Sequence, residues 1–200
     1  MKSPYKNLPK EQWETKTKDL INSHPLKNDI VDIVLSSWNA IFESNLAGFK
    51  IGKDIYPEPQ IMGFFLHCLI ALHINKKYPD YKVGAAKTEK DIHNVKDDSL
   101  SIEIKTSSHK SQIFANRSYA QPQVGNEKKG KDGYYIAVNF EKFNPQAMHV
   151  RPNITKVRFG YLEHSDWIAQ GAATGQQARL EHSAYTSKLI TLYSKDKTKK

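Results

Sequence analysis

The sequence predicts an α/β fold, a mixed β-sheet flanked by α-helices with the helices gathered toward the N-terminal end. Three observations carry this expectation. Apolar residues recur at helical spacing through residues 9–77, alternating strand patterns cluster at 81–106, and strand signals return at 134–140 and 155–161. The 200 residues suit one domain with a sizeable core. Its helical part runs to about 78, its sheet core over about 79–165, and a C-terminal helix or loop with a basic tail over 166–200.

Residues 9–23 read as a surface helix opened by Pro9, whose fixed φ suits a first turn. Asn22, Ser23, His24 and Pro25 close it. A more apolar helix follows from about 27 to 46, with Ile30, Ile33, Val34, Trp38, Ile41 and Phe42 at helical spacing and Gly48 as its stop. A third helix, 59–77, is apolar nearly all round and belongs in a core against a sheet. Its apolar run is too short to span a membrane. Glu58 stands at its start, where the helix dipole favours a carboxylate; the alternative is a third acid reaching a metal site.

Residues 81–85 read as a short strand. Two more strands, 91–95 and 100–106, are joined by a polar turn at 96–99. In the second, Leu100, Ile102 and Ile104 alternate with Ser101, Glu103 and Lys105. One face is therefore apolar and the other sets a carboxylate beside an ammonium. Residues 107–123 form a polar stretch anchored by Ile113, Phe114 and Tyr119, and 125–133 a flexible basic loop. Residues 166–180 mix helix formers with Gly171 and Gly175 and read as a broken helix or loop plus helix. The tail, 194–200, is a basic end expected to fray.

A Glu and a Lys two apart on a strand, with an Asp just upstream, are what metal-ion hydrolysis of a phosphodiester needs. On this reading Asp91 and Glu103 are expected to hold Mg²⁺, and Lys105 to steady the attacking water and the charge developing on phosphate. The same spacing recurs at Glu14 with Lys16, Asp80 with Lys82 and Glu127 with Lys129. Of the four pairs, Glu103 with Lys105 alone follows an alternating strand with another strand before it. Paired residues on antiparallel strands share a face, so an odd loop at 97–99 sets Asp91 opposite Lys105 and His93 opposite Glu103. Asp80 is the fallback acid. His93 reads as a hydrogen-bond partner of a carboxylate, and His67 and His73, six apart, share no helix face.

Thirty Lys and Arg against 21 Asp and Glu give +9 and a pI near 9.4. That balance favours a polyanionic partner, because basic contacts to phosphate release counterions. The one cysteine, Cys68, excludes an internal disulfide and a paired-Cys zinc site and reads as a buried structural thiol. The N-terminus lacks the apolar core of a signal peptide, so the expectation is a cytoplasmic protein of a prokaryotic cell with neither a membrane partner nor a small-molecule cofactor.

The signature Asp91, Glu103 and Lys105, the blocks at 102–108, 116–121 (NRSYAQ), 133–140 and 158–168, and TGQQA at 174–178 together resemble type II restriction endonucleases of the PD-(D/E)xK superfamily, the ScaI-type group in particular. The resemblance runs from about 58 to 180. It implies a PD-(D/E)xK nuclease core and a homodimer cutting both strands of a palindromic double-stranded DNA with Mg²⁺. Asp91, Glu103 and the backbone carbonyl of Ile104 would be metal ligands and Lys105 the water-orienting cation. Lys90 stands where the superfamily has proline, which leaves Asp80, in Pro79-Asp80, open as the first acid.

Asn, Gln and Arg read base edges, and Asn116, Arg117, Tyr119 and Gln121 lie just after the metal strand. Ser107, Ser108, His109 and Gln112 are expected on phosphate or sugar, contacts that position rather than specify. For these residues a satisfied polar loop, with Ser107 capping a turn, is the equal alternative. Thr174, Gln176, Gln177 and Arg179 stay open between dimer contact, DNA contact and helix start. A basic nucleic-acid-binding module without chemistry, and a nonspecific or structure-specific nuclease, are the competing functions.

Overall fold

Three helices come first along the chain and cover one side of the sheet. The computed structural model describes residues 3–86, 88–121, 130–172 and 174–196. A 3-10 turn, Lys10–Gln12, leads into α1 (Trp13–Ser23), followed by α2 (Ile30–Glu43) and α3 (Pro59–Lys77). Helix α2 ends before the expected 46. Leu46 and Phe49 close a tight turn in which Ala47 and Gly48 take left-handed φ values of 55° and 94°, backbone that Gly48 adopts without a Cβ penalty. Helix α3 begins at Pro59 as expected and buries Met62, Leu66, Ile70 and Ile74. Ile61, Phe64 and Leu72 remain exposed, so one side of this helix, not its whole circumference, is in the core. Cys68 on it is only half-buried.

Nine strands follow among the described residues: β1 (Tyr81–Val83), β2 (Ile92–Asn94), β3 (Ile102–Ser107), β4 (Phe114–Asn116), β5 (Gly133–Phe140), β6 (Ile154–Leu162), β7 (Trp167–Ala169), β8 (Gln177–Leu180) and, after the short helix α4 (His182–Ser187), β9 (Leu189–Ser194). Six of them form a mixed sheet in the order β1-β2-β3-β5-β6-β9. Its pairs are antiparallel except β3 with β5, which run parallel with Glu103 opposite Tyr135 and Lys105 opposite Ala137. The remaining three make a small antiparallel sheet, β4-β8-β7.

Strand alternation sorts the large sheet into two faces. Ile92, Ile102, Ile104, Tyr134, Ile136 and Val138 face the helices and join the main core. Tyr135, Ala137 and Leu162 face the other way, against Ala115, Trp167, Ala178 and Leu180 of the small sheet. Glu103 and Lys105 lie on this second face, beside the second, smaller core.

The C-terminal part departs from expectation. Residues 166–180 are not a broken helix but β7 and β8 joined by a turn closed by Gly175 N–H to the Ala172 carbonyl at 2.9 Å. Along β8, exposed Gln177 and Arg179 alternate with buried Ala178 and Leu180, a period of two that burial imposes over local helix propensity. Strand β4 forms inside the stretch expected as a polar loop, and β9 inside the expected helix-or-loop segment. The basic loop expected at 125–133 lies outside the described residues up to 129, and the expected frayed tail does so beyond 196. Among the described residues no helix is long and apolar enough to cross a membrane.

Candidate active site

Strand β2 meets β3 at one pair, Ile92 opposite Ile102. Carried one residue outward, this register sets Asp91 opposite Glu103 on the face away from the helices. The face is the one expected for Asp91, but the register is shifted two residues along β3, so Asp91 does not oppose Lys105, nor His93 Glu103. The connection explains the shift. Asn94 Oδ1 accepts from Lys96 and Asp97 N–H at 3.0 Å each, and Asp97 Oδ1 accepts from Ser99 N–H at 2.9 Å, capping a 3-10 turn at Asp98–Leu100. That turn is longer than the three-residue loop expected. His93 bonds Asp98 at 3.2 Å instead.

Asp91 Oδ2 accepts from Ile104 N–H at 2.8 Å, fixing the carboxylate on the β3 edge that β2 has left. Glu103 is 2% exposed. Its Oε1 accepts from Lys105 Nζ at 2.6 Å and from the Tyr119 hydroxyl, while Lys105 Nζ also donates to the Tyr119 oxygen at 3.0 Å. A carboxylate this deep is tolerable because the ammonium and phenol compensate its lost hydration. Lys105 Nζ lies 4.6 Å from the Tyr119 ring centroid and Lys131 Nζ 5.3 Å, so the ring carries two cations. Tyr119 sits on a 3-10 turn, Arg117–Ala120, packed edge-on against Trp167. Its hydroxyl is thus engaged with the acid–lysine pair, whereas the sequence had pointed it at DNA.

His67, on α3, brings Nε2 to 3.7 Å from Asp91 Oδ2. Its distance along the chain hid it from sequence reasoning. His73 bonds Ser37 Oγ at 2.8 Å, a packing role. Asp80 is paired with Lys96 at 2.8 Å at the open end of the β1–β2 hairpin, beside the connection from β2 to β3, and lines a different cleft, with Pro79 and Asp97. Among the described residues no group of three or more His, Cys, Asp or Glu converges on one point; apart from Asp97 and Asp98 in its turn, the acids of the hairpin are Asp91 and Glu103.

Beside the hairpin opens a cleft of about 580 Å³ whose walls include Glu58, His67, Thr106, Ser107 and Gln177. Glu58 is the N-cap residue of α3, with no side-chain cap bond. The 107–112 loop bends on itself, Ser107 Oγ accepting from His109 N–H at 3.1 Å and His109 Nδ1 from Ser111 and Gln112 N–H at 3.1 and 3.0 Å. Ser108 and Gln112 stay exposed. Two buried polar residues that sequence reasoning missed hold this loop from beneath. Asn139 Nδ2 donates to the His109 and Gln112 carbonyls at 2.8 and 2.9 Å, and Arg158 donates to the Ser111 carbonyl at 3.0 and 2.8 Å and to Asn139 Oδ1. The available signal was a polar residue inside a strand that is otherwise apolar, Asn139 in GYYIAVNF and Arg158 before FGYL.

On the small sheet Asn116 pairs with Gln177, and Asn116, Gln177 and Arg179 are all exposed. Arg117 is turned to structural use, donating to the Ala172 and Gly175 carbonyls at 3.1 and 3.0 Å. Gln121 offers its backbone carbonyl to the His164 ring.

A six-stranded mixed sheet behind N-terminal helices, with an acid and a lysine on an inner strand, is consistent with a nuclease core. The profile of the ScaI restriction endonuclease family matches residues 3–193. A relative 45% identical over 194 residues is the type II restriction enzyme ScaI of Streptomyces caespitosus, the match covering 96% of this chain and 85% of that enzyme. The chain belongs to the ScaI restriction endonuclease family, and it is a sequence-specific type II restriction enzyme, a nuclease and hydrolase. The match extends well beyond the 58–180 stretch that carried the resemblance.

Proposed function

We propose that the enzyme hydrolyses one phosphodiester bond in each strand of a short palindromic double-stranded DNA, as a Mg²⁺-dependent homodimer in the cytoplasm of a prokaryotic cell. The observation that carries the reading is the convergence of Asp91, Glu103 and Lys105 on one face of the β2–β3 hairpin. The donors suit this ion: Mg²⁺ keeps most of its waters and takes one or two carboxylates, all hard oxygens. A strand residue points its N–H and C=O to the same edge, so the Ile104 carbonyl lies on the edge that Asp91 occupies. Asp91, Glu103 and that carbonyl would hold the ion. When bound, it polarises the phosphate and acidifies a coordinated water.

The chain's own groups do the rest. Lys105, held against Glu103 and Tyr119, orients the attacking water and meets the negative charge that develops on the phosphate. Tyr119 is a positioning residue that fixes the ammonium. Glu58 is accounted for by the dipole of α3. Ser108, exposed on the cleft wall, and Gln112, exposed further along the same loop, suit phosphate and sugar contacts, and Asn116, with Gln177 beside it, suits an adenine edge. Two-fold pairing of protomers would match the symmetry of a palindrome. The test is digestion of a sequenced plasmid with Mg²⁺ followed by fragment-end sequencing. Discrete fragments whose ends share one symmetric sequence are expected; a smear, or ends with an asymmetric sequence, would contradict the proposal.

A further inference from the structure

Next to the catalytic cleft lies a second, larger basin of about 880 Å³. Ser108, Phe140 and Lys142 line both cavities, so the two adjoin across a shared wall. Four lysines from four separate segments line the basin: Lys110 from the loop after β3, Lys142 after β5, Lys156 on β6 and Lys195 after β9. Two acids share the walls, Glu141 and Asp196. Glu141 is already committed, its Oε1 to Lys195 Nζ at 2.7 Å and its Oε2 to Asn153 at 2.9 Å. Burial works against its charge, yet these donors outweigh it and hold the carboxyl below its usual range. With Glu141 and Lys195 paired, Lys110, Lys142 and Lys156 face Asp196 alone among the lining acids, and the basin carries a net positive charge. Four unrelated segments converging on one basin is not a solvated charge run on a single helix.

We infer that this basin is a flank-binding site, taking backbone phosphates of the duplex outside the sequence that is cut. The inference rests on the duplex-DNA reading above and extends it. A strand whose scissile phosphate lies at Lys105 would pass Thr106 and Ser107 along the first cleft, cross the wall at Ser108 and Lys142, and enter the basin. Contacts of this kind carry no base information and act through counterion release. The enzyme should therefore hold a site embedded in long DNA more tightly than the same site at the end of a short duplex, and the difference should vanish at high salt.

The experiment compares two fluorescent duplexes carrying the cut site, one ending just outside it and one extended by a helical turn on each side. Binding is read by anisotropy across a salt series without divalent metal, and cleavage is read in parallel with Mg²⁺. The wild type should prefer the extended duplex and show a steeper salt slope on it. The variant Lys110→Gln/Lys142→Gln/Lys156→Gln should lose the preference, each lost phosphate contact lowering the slope by about 0.9. Lys142→Arg, which keeps the charge, should retain it. A triple variant with the wild-type slope and length preference would overturn the inference. Absence of cleavage with the length preference intact would leave the basin standing and sink the nuclease reading instead.

Discussion

Tyr119 shows how much one hydroxyl carries at this centre. It donates to Glu103 and accepts from Lys105, and its ring lies beneath the same ammonium. Tyr119→Phe keeps the ring and removes the hydrogen bonds. A hydrogen bond to a charged group contributes about 1.5–3 kcal/mol, so kcat should fall roughly tenfold to a hundredfold with KM little changed. A direct DNA contact would give the opposite split, KM raised and kcat kept, and steady-state kinetics distinguish the two. The shared face of Glu103 and Lys105 was legible in the sequence because alternation separates them from Ile102 and Ile104. The partnership of Tyr119 was not, since nothing local to NRSYAQ says that its 3-10 turn folds back over β3.

At the level of elements, the loop that follows β3 is held by a buried fork as well as by its own side chains. Arg158 is 2% exposed and spends its guanidinium on the Ser111 carbonyl, Asn139 and the Tyr185 hydroxyl. A lysine at this position cannot reproduce that planar fork. Arg158→Lys should loosen residues 109–112, speeding tryptic cleavage after Lys110 ahead of other sites and raising KM more than it lowers kcat. Uniform acceleration at all sites would indicate global destabilisation instead.

The same scale explains which elements could be read in advance. Helix α3 was placed to the residue because Pro59 marks its first turn and the apolar run fills its length. Strands β5 and β6 announced themselves by β-branched and aromatic residues. Strands β4, β7 and β8 did not. Each is three or four residues long, and Ala, Gln and Gly in DWIAQGAATGQQARL carry helix or turn preference that the second core overrides. The hairpin register was legible only as a parity: it says which face Asp91 takes, while the Asn94 and Asp97 side-chain caps decide its partner.

For the whole molecule, the stability of the fold is tied to pH through a histidine on the helix side of the sheet. His24 is buried, its Nδ1 accepting from Leu26 N–H at 3.2 Å and its Nε2 3.3 Å from the Leu100 carbonyl, with the Tyr134 ring 4.4 Å away. Burial outweighs the carbonyl and lowers its pKa from 6.5 to about 4. Unfolding restores an ordinary imidazole, so between these values the unfolded chain binds a proton that the folded one refuses. This contribution is full above the unfolded pKa and drains as pH falls toward 4, by about 3 kcal/mol in all. Urea unfolding near pH 7 and near pH 5 should show the loss, and His24→Gln should flatten it. Equal pH dependence in both proteins would assign the loss elsewhere.

The central claim, that Glu103 and Lys105 perform the hydrolysis rather than hold the sheet together, is tested most directly with Glu103→Gln. Because Glu103 is buried, glutamine preserves its shape where alanine would open a cavity. Supercoiled plasmid is incubated with Mg²⁺ while duplex binding is measured on the same preparation. The account predicts wild-type cutting to discrete fragments, and no cutting by Glu103→Gln with duplex binding largely retained. Wild-type cutting by Glu103→Gln would contradict it.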